Sequence, residues 1–257
     1  MIKKRYLVIL LLIIILAVYG FVTINQSVNH TETTINNTST ITPELIGKDS
    51  TGSVEVIKNI GNPNGEKIAY VVGVHPLEND THQTLLNLLP KQANLNYCYD
   101  IYVINVNLNY SNYGQLYPDD EPGRAEGQDL AYKYVYPAIV NGSYKLAVDV
   151  HAHGGAYYSD TFVFSPVDGS SGETYGRDVS NHTQNVSYYN PHQTTSGPYL
   201  TIPLNKNGVP AIYFEENSFY SQPVKDSHML ELIHAVDNLK LWFSSLNINI
   251  RYINIIK

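Results

Sequence analysis

Apolar residues along this chain fall into three patterns. The first is an opening run, Tyr6 to Val22, that follows Lys3, Lys4 and Arg5 and carries no charge over seventeen positions. The second is a series of short apolar runs of strand length: "VEVIKNIG", "EKIAYVVGV", "DIYVINVNL", "KLAVDVHAH" and "VPAIYFEE". The third recurs every three or four residues, as in Met229, Leu232, Ile233, Val236, Leu239 and Phe243, which predicts a closing helix with one buried face. Helical stretches are also expected at "HQTLLNLLPKQ" and at "AEGQDLAYKYVY", the latter ended by Pro137. Between "VEVIKNIG" and "EKIAYVVGV" the Asn64-Gly65 pair predicts a hairpin, because these residues accept positive φ. The tracts Asn109 to Arg124 and Ser165 to Asn207 show no sustained period and are expected to be irregular. Near-continuous apolar strands alternating with helices predict an α/β fold whose mixed, mostly parallel sheet is sandwiched between helices.

These patterns divide the chain into three parts: 1–22, 23–53 and 54–257. The opening run is long enough to span a bilayer as an N-terminal transmembrane helix, and a cleaved signal peptide is the alternative. In both cases the flanking lysines and arginine keep the N-terminus inside and send the remainder out. The expectation is a single-pass membrane protein with an extracellular domain, secreted if the segment is cleaved. Residues 23–53 are rich in Asn, Thr and Ser, and read as a stalk. Residues 54–257 are expected to form one domain.

Composition narrows the functional classes. Charged residues make up 15% of the chain and the net charge is −7, with no basic stripe interleaved with aromatics, which argues against nucleic acid as a partner. The single cysteine, Cys98, lies in a strand-like run and reads as a small buried hydrophobe. N-x-S/T triplets at Asn29, Asn36, Asn37, Asn79, Asn109, Asn141, Asn181 and Asn185 would accept glycans on an exported chain.

Three of the expected strands end in groups able to bind a metal or move a proton: "VVGVHPLE", "LAVDVHAH" and "PAIYFEE". Ligand sites of open α/β sheets lie at the carboxyl ends of strands, so His75, Glu78, His151 and Glu215 are candidates for one site. His75 and Glu78 stand three apart at a turn into a helix and can aim at one point. A further His would complete two imidazoles and a carboxylate, a set that suits zinc with one position left open. Asp149, His151 and His153 share a strand face and would otherwise form a polar rim.

In motif order and element order, roughly from Val54 to Leu246, the chain resembles the zinc carboxypeptidase superfamily, and most of all its aspartoacylase/succinylglutamate desuccinylase branch. The resemblance rests on "GVHPLE", on "DVH", and on "PAIYFE" after a Pro. It implies Zn2+ held by His75, Glu78 and His151, with Glu215 as general base. The family's Asn-Arg pair, which holds the substrate carboxylate, has no match. Arg124 is the one arginine between Glu78 and His151; it is expected either to contact substrate or to pair with Asp119, Asp120 or Glu121. Arg177 is a poorer candidate. Asp149 is placed to orient a ligand imidazole.

The function implied is a zinc metallohydrolase that cleaves an amide bond, as a metallocarboxypeptidase acting on peptides. An N-acyl amino acid deacylase is the alternative, and an inactive surface-binding module on the same fold is the reading of a different class, favoured by the missing Asn-Arg pair. Tyr175, Tyr188, Tyr189 and Tyr199 are expected to wall the pocket, where sugars or aromatic side chains would stack.

Overall fold

The computed structural model describes residues 42–108 and 121–241. The expected N-terminal membrane helix, most of the expected stalk and the tract 109–120 lie outside the described residues. Among the described residues no helix is long and apolar enough to cross a membrane.

Eight strands form one sheet: β1 (Glu44–Lys48), β2 (Gly52–Gly61), β3 (Lys67–Val72), β4 (Cys98–Val106), β5 (Tyr144–His153), β6 (Phe162–Phe164), β7 (Ser187–Tyr188) and β8 (Ala211–Asn217). Their spatial order is β1-β2-β4-β3-β5-β8-β6-β7. The central block β4-β3-β5-β8 is parallel throughout, while β1, β2 and β6 run antiparallel to a neighbour. Six α-helical segments flank the sheet: α1 (Asn79–Leu88), α2 (Arg124–Leu130), α3 (Tyr136–Asn141), α4 (Ser171–Asn181), α5 (Thr201–Lys206) and α6 (Gln222–Asp237).

Strand alternation explains why helices cover both faces. Ile68, Tyr70 and Val72 of β3 pack with Leu85 of α1, Val179 of α4 and Leu232 of α6, whereas Ala69 and Val71 pack with Leu130 of α2, Ile139 of α3 and Leu204 of α5. A strand buried on both sides needs apolar residues at every position, which is why these segments read as continuous runs. Cys98 is buried, as its surroundings implied.

Several expectations are corrected. β2 and β3 are not a hairpin, because β4 lies between them, antiparallel to β2 and parallel to β3. Gly65 N donates to Asn62 O at 2.9 Å, so Pro63 and Asn64 occupy the middle of a four-residue turn. Neither Asn64 nor Gly65 adopts positive φ, and the primed turn that would fold β2 directly onto β3 does not form. Pro137 does not end its helix: a π-helical turn, Ala131–Val135, absorbs the missing N–H, and α3 restarts with the proline in its first turn. The tract Ser165 to Asn207 holds α4, β7 and α5. β1 lies inside the stretch expected to be stalk and pairs with β2; its sequence "ELIGK" is too short and too exposed to show a strand period.

Candidate metal centre and active-site cavity

β3 leads to the site through Gly73, whose φ of +88° turns the chain out of the sheet. His75 remains extended, and Pro76–Glu78 then form a single 3-10 turn closed by Glu78 N donating to His75 O at 3.1 Å. In such a turn side chains three apart eclipse, so His75 and Glu78 face the same point. His75 Nδ1 lies 2.9 Å from Glu78 Oε1. β5 delivers His151, whose Nδ1 lies 3.0 Å from His75 Nδ1 and 2.9 Å from Glu78 Oε2. Ligand atoms of His75, Glu78 and His151 all fall within 4.8 Å of one another. The Ala152 N–H donates to Glu78 Oε2 at 2.9 Å and fixes the carboxylate.

Asp149 stands behind His151, its Oδ2 3.1 Å from His151 Nε2. Both groups are buried, and neither Asp149 oxygen nor His151 Nε2 has a well-aligned hydrogen bond, so charge alone holds the pair. The β8 strand pairs with β5 in register, setting Glu215 beside His151 and Glu216 beside Ala152. Glu215 lines the cavity. Glu216 points the other way and accepts from Thr161 Oγ1 at 2.8 Å and from His228 Nδ1 of α6 at 3.1 Å. Neighbours on a strand face opposite sides, and this alternation separates the two glutamates.

Helix α2 covers the site from the other side of the sheet's end. It sits so close that a Cβ on Gly127 would lie 2.1 Å from Val74 O. Arg124 Nη1 lies 3.1 and 3.0 Å from the two ring nitrogens of His75 and donates to Thr195 Oγ1 at 3.1 Å, while Nη2 donates to Glu121 Oε2 at 2.6 Å. Arg124 thus reaches the cluster and also makes the ion pair with Glu121. One turn on, Gln128 is buried against His75 Nε2 at 3.2 Å.

The cavity these groups enclose holds about 340 Å³, and its wall includes Tyr157, Thr194, Ser196 and Tyr213. An outer depression of about 540 Å³ shares Arg124, Tyr157 and Thr195 with it and adds Tyr189. Of the four tyrosines expected at the pocket, Tyr189 alone lines this outer wall; Tyr175 is in the core and Tyr188 packs under Arg177. Arg177 itself pairs with Glu173 on the surface of α4. His153 lines the cavity but is tied to the β5–β6 loop, donating from Nε2 to Asp160 O at 2.8 Å.

Among the protein's own groups the electrostatics are unbalanced. Burial pushes the imidazolium of His75 down, and the nearby His151 adds to the effect. Burial acts on His151 too, yet the carboxylates of Asp149 and Glu78 outweigh it and hold this imidazole well above its ordinary value. Burial would raise Glu78, but His151 and His75 lower it overall. Glu215 is pushed up to about 8, first by burial and then by Glu78 and Asp149, against the pull of His151 and Arg124. Two imidazoles and a carboxylate form the donor set of a zinc site, and the Asp149 carboxylate backs one of the imidazoles at 3.1 Å. A divalent cation fits this donor set.

Sequence reasoning missed Gln128, Tyr157 and Tyr213. Tyr213 sits two positions before Glu215 on the same strand face, and that alternation was the available signal; Gln128 and Tyr157 had none.

No protein-family model matches the chain, and no curated protein matches it by sequence. Solved structures do match. The tripeptide-bound cell shape determinant Csd4 of Helicobacter pylori aligns with a TM-score of 0.51 and 14% identity, over 74% of this chain and 58% of Csd4. The apo form of Csd4 gives 0.52 and 13%, over 74% and 57%. A third structure, the mDAP-bound form of Csd4, described as a D,L-carboxypeptidase, gives 0.49 and 13%, over 70% and 53%. The chain therefore spans under three fifths of Csd4 in these alignments. The described domain therefore shares its mixed α/β fold with Csd4.

Proposed function

We propose that the chain is a zinc-dependent hydrolase that cleaves an amide bond of a peptide, with His75, Glu78 and His151 as metal ligands and Glu215 as general base. The observation that carries this reading is the meeting of those three donors within 4.8 Å, with Glu215 set beside His151 and lining one cavity with His75 and Glu78. The likeness in fold to Csd4, described as a D,L-carboxypeptidase and seen with a tripeptide bound, supports a peptide over an N-acyl amino acid. A fold alone does not select a substrate, so the argument rests on the site.

A zinc ion, when bound, supplies Lewis acidity toward the scissile carbonyl and the attacking water. Glu215 takes the proton that water loses as its oxygen adds to the carbonyl carbon, and returns it to the nitrogen as the C–N bond breaks. Its place on the cavity wall, beside His151 in the register of β5 and β8, suits both halves of that transfer. Arg124, held by Glu121 and Thr195, donates to the carbonyl oxygen as negative charge develops there. The products are a carboxylic acid and an amine. The N-terminal run, by this reading, anchors the domain on the outer side of a membrane.

The test is hydrolysis by the full chain of a panel of peptides and of N-acyl amino acids, with zinc and after its removal. Zinc-dependent release of amino acids from peptides is the expected result. Turnover confined to N-acyl amino acids would reassign the enzyme to the deacylase class, and absence of zinc from an inactive chain would favour a binding module.

A further inference from the structure

Each histidine of the centre turns one nitrogen to the cluster and the other to a second partner. His151 sends Nδ1 to Glu78 and Nε2 to the Asp149 carboxylate. His75 sends Nδ1 to Glu78 and to His151, and Nε2 to the Gln128 carboxamide, 3.2 Å away. Arg124 Nη1 stands at nearly equal distances from both His75 nitrogens and selects neither tautomer. Glu78 meets Nδ1 alone, so the partner that can answer either state of Nε2 is Gln128. Its position is built in: it is buried, it follows Gly127, whose lack of a side chain lets α2 touch the end of β3, and it stands one turn from Arg124.

A carboxylate only accepts, whereas a carboxamide accepts through oxygen and donates through nitrogen. Resting on the metal-centre reading above, we infer that Gln128 is a positioning residue that serves both tautomers of His75 by turning its amide over. Without metal, His75 Nδ1–H donates to Glu78 and the bare Nε2 accepts from Gln128 Nε2. With Nδ1 given to a metal, the proton resides on Nε2, and Gln128 presents Oε1 to accept it. The two ligand histidines are thus supported unequally: a carboxylate raises the basicity of His151, and a neutral amide leaves His75 the weaker donor. Gln128 keeps His75 oriented in either tautomer.

Zinc affinity of the full chain, read by competition with a chromophoric chelator, tests this together with 15N–1H correlations of the histidine rings. Gln128→Met keeps the side-chain length and removes both hydrogen bonds; it is expected to weaken zinc by about 10–100-fold. Gln128→Glu, which only accepts from the Nε2–H, is expected to bind zinc at least as tightly as the unaltered chain. In the zinc-loaded unaltered chain the proton of His75 is expected on Nε2. Unchanged affinity in Gln128→Met, weaker binding in Gln128→Glu, or a proton on Nδ1 of loaded His75 would overturn the role of Gln128 and leave the metal centre standing. No zinc binding by the unaltered chain would overturn the metal centre and this inference together.

Discussion

Two buried carboxylates, level with Ala69 and Val71 on the two sides of β3, show how differently this chain treats charge. Asp100, fully buried in β4, has a fixed donor for each oxygen: Asn59 N at 2.9 Å on one, Lys67 Nζ at 2.7 Å and the Tyr144 hydroxyl on the other. Asp149, equally buried in β5, faces His151 with neither oxygen in a well-aligned hydrogen bond. A closed network of the first kind holds the sheet in register. An open one of the second kind is costly to the fold unless something completes it. The contrast separates polar groups that build this protein from those that the proposed function uses.

The largest expected effect lies on the open side. Glu215→Gln should keep zinc and lower turnover by about two to four powers of ten, while Glu216→Gln, whose side chain is bound by Thr161 and His228 on the other face, should lose much less. Steady-state rates and metal content of both variants decide this, and the comparison breaks if Glu216→Gln is the dead one. On the closed side, Asp100→Ala strands three donors and should cost about 2–4 kcal/mol in urea denaturation while leaving zinc affinity intact. Asp149→Asn should instead weaken zinc, by about 10–100-fold in a chelator competition.

A smaller effect concerns pH. A carboxyl whose folded value is raised from 4.5 to about 8 holds its proton more tightly in the folded chain, so its contribution to stability is lost as pH rises through that interval. Glu215→Gln, which does not ionise, should therefore melt higher than the unaltered chain at pH 8 when both are stripped of metal, and melt alike near pH 4. Thermal melts at the two pH values give the answer; equal melting at pH 8 would mean that Glu215 is not held in its protonated form.

The closed and open networks were not equally legible in the sequence. His75, Glu78, His151 and Glu215 were readable because each ends an apolar run, where a parallel sheet presents its ligands. Gln128 was not, because it reaches His75 across an interface between α2 and the end of β3 that depends on close approach at Gly127. Tyr157 was likewise hidden, since "HGGAYYSD" gives no reason to bring one tyrosine to the cavity over its neighbour. In the fold, the central strands and their helical cover followed from periodicity. The β2–β3 pairing was misread because Asn64-Gly65 satisfies a local turn rule while β4 inserts by long-range pairing. The strand β1 escaped because an exposed edge strand of five residues has no inward face to mark it.

The most direct test of the central claim is the zinc content of the full chain and of three histidine variants, measured by elemental analysis after removal of loosely bound metal. The account predicts one zinc per chain, lost in His75→Ala and in His151→Ala, and retained in His153→Ala, whose ring is tied to Asp160 O. Full zinc in both of the first two variants, or its loss in His153→Ala alone, would contradict it.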